Sequence, residues 1–138
     1  MKRSVVASVI SICWAVVVFA PAVAVAGYFD GMEAYRQNDY QTALRELKAV
    51  DEDVKAQYMI GVIYEKGQGV AVNFAEAAQW YGKAADKGNS AAQYRLGRLC
   101  ERGLGVEQNR EEAVKWYKKA AKQGHVDARQ ALKRMDAK

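Results

Sequence analysis

An all-α solenoid of stacked helical hairpins is the fold this chain predicts, and three observations carry that expectation. First, the chain repeats itself. Ala56–Ala91 aligns with Ala92–Asp127 at a spacing of 36 residues without a gap, and 17 of the 36 pairs are identical. A period of roughly 20–50 residues marks units that stack on their neighbours rather than close into one globule. Second, apolar residues within each unit recur at steps of three and four, the one-sided pattern of a helix. Third, glycine and asparagine punctuate each unit at the same places: Gly67 and Gly103, Asn73 and Asn109, Gly88 and Gly124.

The elements follow in order. Lys2 and Arg3 precede an uncharged apolar run from Val5 to Ala20, and Pro21 then precedes the small-residue stretch Ala22-Val23-Ala24-Val25-Ala26. This three-part layout is that of a secretory signal peptide, with cleavage expected after Ala26. The run is short for a bilayer span, which needs about 20 apolar residues. Residues 1–26 are therefore read as a leader, with no stable membrane insertion after its removal. Residues 27–55 read as a first hairpin. Asn38 turns the chain, and Tyr40, Ala43 and Leu44 open the second helix.

Residues 56–91 and 92–127 are the two repeats. In the first helix of the earlier unit, Tyr58, Ile60, Gly61, Ile63 and Tyr64 form one face, and Gly67 ends it in the left-handed conformation that glycine tolerates. Asn73 three residues before Glu76, and Asn109 three before Glu112, have the spacing of capping boxes. Ser90 is the expected cap of the next unit. Ala77, Trp80, Tyr81 and Ala84 line the second helix, as do Ala113, Trp116, Tyr117 and Ala120. Trp80 and Trp116 are expected to fasten the units, with Trp80 beside the small residues Gly61, Ala84 and Ala85. On that footing Trp80→Ala costs about 3–5 kcal/mol. Residues 128–138 continue the register into a charged terminal helix. Ala128 matches Ala92 and Leu132 matches Leu96, but Lys133 stands where glycine is expected.

Charge is uneven. Residues 27–55 carry a net −3, residues 56–114 are neutral, and residues 115–138 carry +6. A basic end suits an acidic partner, anionic lipid or nucleic acid, but it is also what a solvated end face looks like. Export argues against nucleic acid. Cys13 lies in the leader, so Cys100 is the one cysteine left, and no internal disulfide can form. Cys100 is expected as a small buried apolar side chain.

The pattern Ala-Gln-Tyr-x-(Ile/Leu)-Gly-x-x-x-Glu-(Lys/Arg)-Gly-x-Gly-Val, followed by Glu-Ala-x-x-Trp-Tyr-x-Lys-Ala-Ala-x-x-Gly, resembles the Sel-one-like repeat, a relative of the tetratricopeptide repeat. It covers Ala56–Gly124, and Tyr28–Val50 resembles the looser tetratricopeptide-type unit. Cys100, where an aromatic is expected, and Gly82, inside a helix, depart from the pattern. The resemblance implies a right-handed α-α superhelix whose first helices line a concave face. It also implies an adaptor for protein–protein interaction in the bacterial envelope, secretion or signalling. Mapped onto this chain, the partner-binding positions are Tyr58, Val62, Glu65, Tyr94, Arg98, Glu101 and Arg102.

Catalytic chemistry finds no footing in the sequence. The glycine loops lack the Lys-Ser/Thr of a phosphate cradle. His125 is the only histidine, and one histidine with one cysteine cannot supply the usual nitrogen and sulfur ligands of a metal site. Glu111 and Lys115 are expected as an ordinary surface pair. Some relatives of the repeat are cysteine-rich lactam-binding or lactam-hydrolysing proteins, but this chain lacks their paired cysteines. The reading is a non-enzymatic, cofactor-free, periplasmic or secreted adaptor with a protein or peptide partner, self-association being open. The alternatives are a cell-wall hydrolase and an accessory subunit of an envelope enzyme.

Overall fold

The computed structural model describes residues 19–137. Most of the expected leader, including Cys13, lies outside the described residues. Seven helices and no strand occur among the described residues: α1 (Phe19–Arg36), α2 (Tyr40–Ala49), α3 (Val54–Lys66), α4 (Phe74–Asp86), α5 (Ser90–Arg102), α6 (Arg110–Lys122) and α7 (Val126–Asp136). Each helix packs chiefly against the one before and the one after, so the fold is an all-α solenoid of hairpins. Helix α1 runs through Pro21 and across the Ala26–Gly27 junction. None of the described helices is long and apolar enough to cross a membrane.

Local chemistry sets the helix ends. Asn38 turns the chain with φ 62°, and Gly67 and Gly103 are left-handed C-caps with φ 66° and 68°. The first helices are capped by Asp53, Asn89 and His125, spaced one period apart, whose side chains accept from the amides of Ala56, Ala92 and Ala128. The cap of α5 is therefore Asn89 rather than Ser90, because the amide side chain reaches the free N–H at 2.8 Å. Asn73 and Asn109 cap α4 and α6 as expected, at 3.0 Å. The glutamate half of each box does not close. The Asn73 amide donates to the Tyr64 carbonyl, while the Glu76 carboxylate accepts from the Trp80 indole at 3.3 Å. Lys115 likewise pairs with Glu112, at 3.3 Å, rather than with Glu111.

Tyrosine fills the core more completely than tryptophan. Tyr81 and Tyr117 are fully buried, whereas Trp80 is half-buried with Lys83 over its ring. The reason is Gly61 and Gly97: a Cβ there would meet the Tyr81 or Tyr117 ring at 2.6 or 2.8 Å. Each glycine is thus a notch on a first helix that seats the tyrosine of the following helix. Trp116 does enter the core, but Trp80 packs at the edge of the cluster formed with α1–α3. In α7 the notch position is occupied by Lys133. Gly69 and Gly105 close the stack on the loop side. A side chain on Gly105 would collide with the Phe74 backbone at the start of α4, and one on Gly69 would meet Tyr40 Cβ at the start of α2.

Candidate functional site

Helices α3, α5 and α7 form a continuous face, because the first helix of every unit occupies the same side of its hairpin. On α5 the residues Tyr94, Arg98 and Arg102 stand four apart and share one stripe. The equivalent stripe on α3 is Tyr58, Val62 and Lys66. The face is tied together by one device used twice. Glu65 accepts the Tyr81 hydroxyl at 2.5 Å and pairs with Arg95 of the next first helix at 3.2 Å. Glu101 accepts the Tyr117 hydroxyl at 2.7 Å and pairs with Arg134 of α7 at 2.9 Å.

The electrostatics follow from those contacts. Burial, reinforced by the glutamate that each hydroxyl donates to, pushes Tyr81 and Tyr117 far above the ordinary tyrosine range. Burial alone would raise the Glu101 carboxyl. The Tyr117 hydrogen bond and the Arg134 charge outweigh it and bring Glu101 below the usual carboxylate range.

The seven expected partner-binding residues divide into three groups. Val62 is 5% exposed and belongs to the core cluster, so it presents no surface; an apolar side chain between two packed hairpins is drawn inward. Tyr58 and Tyr94 are half-buried against the rings of Tyr81 and Tyr117, at 5.8 and 5.7 Å, and His125 stacks on Tyr94 at 4.8 Å. Glu65 and Glu101 are committed to the internal pairs just described. Arg98 and Arg102 remain: Arg102 is exposed, Arg98 lies 5.9 Å from the Tyr94 ring centre, and neither forms an ion pair among the described residues.

Two cavities flank these arginines. One, of about 250 Å³, lies between α5 and α7 and is lined by Tyr94, Arg98, Glu101, Arg102, Asp127, Gln130, Ala131 and Arg134. The other, of about 260 Å³, lies between α3 and α5 and is lined by Glu65, Lys66, Phe74, Arg95, Arg98, Leu99, Arg102 and Leu104. Arg95, Arg134, Phe74, Leu104 and Gln130 were not among the residues expected from sequence. The period alone pointed to Arg134, which follows Arg98 by 36 residues. Cys100 is buried and free, and burial, with Glu112 nearby, pushes its thiol up. No group of three or more histidine, cysteine, aspartate or glutamate side chains suited to a metal ion occurs among the described residues.

Comparison with known proteins agrees with this architecture. The family model described as Sel1 repeat matches residues 54–89 and 90–125, frames that start at α3 and α5. No curated protein sequence matches the chain. Among solved structures, the chain is similar to a Sel1 repeat protein from Oxalobacter formigenes, with 41% identity and a TM-score of 0.73, over 76% of this chain and 44% of that one. It is also similar to a protective antigen present in uropathogenic Escherichia coli strains, displaying an SLR fold, at 33% identity and a TM-score of 0.72, over 83% of this chain and 25% of that one. Cysteine-rich protein B of Helicobacter pylori aligns at 26% identity and a TM-score of 0.67, over 80% of this chain and 90% of that one. The chain thus spans less than half the length of the first two. With two consecutive matches covering half of its residues, and hairpins stacked in that period, the chain belongs to the Sel1 repeat family.

Proposed function

We propose that this protein is an exported adaptor that binds a protein partner on the concave face formed by α3, α5 and α7. Sel1 repeats are interaction scaffolds, which sets the class of activity. The observation that carries the finer reading is the pair of cavities meeting at Arg98 and Arg102, the two arginines of this face that form no ion pair among the described residues. Arginine and tyrosine are the side chains most often found as interface anchors. Support for export comes from the leader pattern of residues 1–26, and the bacterial envelope is where such a partner is sought.

In-cell crosslinking followed by capture from the envelope tests this reading, comparing the wild type with Arg98→Glu/Arg102→Glu. Capture of one defined protein by the wild type, lost in the folded double variant, is the expected result. Equal capture by both moves the interface away from this face. Recovery of the protein from the cytoplasm with residues 1–26 intact removes the exported assignment.

A further inference from the structure

Building on the reading that the α3–α5–α7 face receives a partner, we propose that the partner segment is acidic. In this proposal Arg98 and Arg102 grip carboxylate side chains of an extended peptide. Apolar side chains of the same peptide enter the cavity between α3 and α5.

The charge arithmetic of the face points there. The α3–α5 cavity gathers Lys66, Arg95, Arg98 and Arg102 against the single carboxylate of Glu65, and that carboxylate already serves Arg95 and Tyr81. The cavity is therefore net +3. The α5–α7 cavity sets Arg98, Arg102 and Arg134 against Glu101 and Asp127, a net +1. An anionic segment is drawn to the first more strongly than to the second. Its floor is apolar: Leu99 is buried, and Phe74 and Leu104 are half-buried. A purely anionic small solute has no use for that floor, whereas a peptide alternating acidic and apolar residues uses both.

The preceding repeat shows that the fold does not require a charge at Arg98, whereas Arg102 keeps the basic character of its counterpart Lys66. Val62 holds the position of Arg98 in the same helix register of the preceding repeat. Arg95, Arg98 and Arg102 stand three and four apart on α5, where like charges repel one another. Glu65 pairs with Arg95, whereas neither Arg98 nor Arg102 forms an ion pair among the described residues. Guanidinium groups match carboxylates through two parallel hydrogen bonds, which makes arginine the suited residue for this task.

The test is fluorescence anisotropy on the full chain. The probe is a fluorescein-labelled, C-terminally amidated peptide alternating glutamate with leucine, run beside its glutamine analogue. We expect saturable binding that weakens with salt, at least a tenfold loss for the glutamine peptide, and at least a tenfold loss for Arg98→Gln/Arg102→Gln. Lys118→Gln/Lys122→Gln on exposed α6 positions should bind like the wild type. A glutamine peptide that binds as tightly overturns the acidic chemistry. So does equal binding by Arg98→Gln/Arg102→Gln, or an equal loss in the α6 variant, because either means diffuse attraction to a basic molecule. Absence of binding to the acidic peptide also overturns it. A photo-crosslinker placed at exposed Gln130 separates the two levels: a partner trapped there despite no acidic-peptide affinity leaves the docking face standing and removes only its proposed chemistry.

Discussion

Tyr81 shows how much rests on one hydroxyl. Its ring fills the Gly61 notch while its hydroxyl donates a hydrogen bond to Glu65, which in turn holds Arg95 on the next first helix. Tyr81→Phe keeps the ring and deletes the hydrogen bond, and should lower stability by about 1.5 kcal/mol in urea unfolding, the scale for a bond to a charged acceptor. An unchanged midpoint would remove the bond from the account of stability. At this scale the sequence was only partly legible. The burial of Cys100 and the turn at Asn38 followed from residue type. The preference for Tyr81 over Trp80 did not, because it depends on a glycine 20 residues upstream. Glu65 and Glu101 looked available to a partner because nothing nearby along the helix claims them; their tyrosines lie 16 residues away. A signal did exist: Glu65/Tyr81 and Glu101/Tyr117 are identical pairs in both units. Residues that serve the stack recur, and residues that serve a particular ligand need not.

Two glycines inside helices make opposite demands on their elements. Gly61 faces the Tyr81 ring with no room for a Cβ, whereas Gly82 has nothing within 4 Å of that position. Gly61→Ala should therefore destabilise by about 1–3 kcal/mol through overpacking. Gly82→Ala should stabilise by roughly 0.5–1 kcal/mol through helix propensity. Thermal melts of the two variants check the pair, and two shifts of the same sign would undo the distinction. Helix existence and helix ends were the most legible features, since Gly67, Gly103, Asn73 and Asn109 each act within one turn. The misplacement at Ser90 is instructive: Ser90 and Asn89 are both good caps, and only the geometry of the Ala92 amide chooses between them.

Across the whole molecule, the glutamate–tyrosine–arginine links give stability a defined pH window. Glu101 titrates below the usual carboxylate range when folded, so the unfolded chain binds more protons as pH falls. Its contribution is complete above the unfolded value of about 4.3 and disappears as pH drops through the folded one. Tyr81 and Tyr117 are raised, so their contribution is complete below about 10 and is lost as pH climbs beyond it. Urea midpoints should therefore form a plateau that falls on both sides, and Glu101→Gln should flatten the acid limb. A Glu101→Gln variant with an unaltered acid limb would assign the effect elsewhere. The overall architecture was readable because a 36-residue repetition leaves little choice but stacking. The site was less so: its cavities arise between helices of different units, and Phe74, Arg95 and Leu104 meet only once the stack is built.

The glycine notch also governs how such a chain can lengthen. A duplicated 36-residue segment inserted ahead of α7 brings its own glycine and its own tyrosine, and it leaves every junction matched. A second helix placed directly after α7 has no notch for its tyrosine, because Lys133 presents a side chain where Gly61 and Gly97 present none. Gene duplication can thus add whole units to the interior of the array, while a second helix seated against α7 itself requires glycine in place of Lys133.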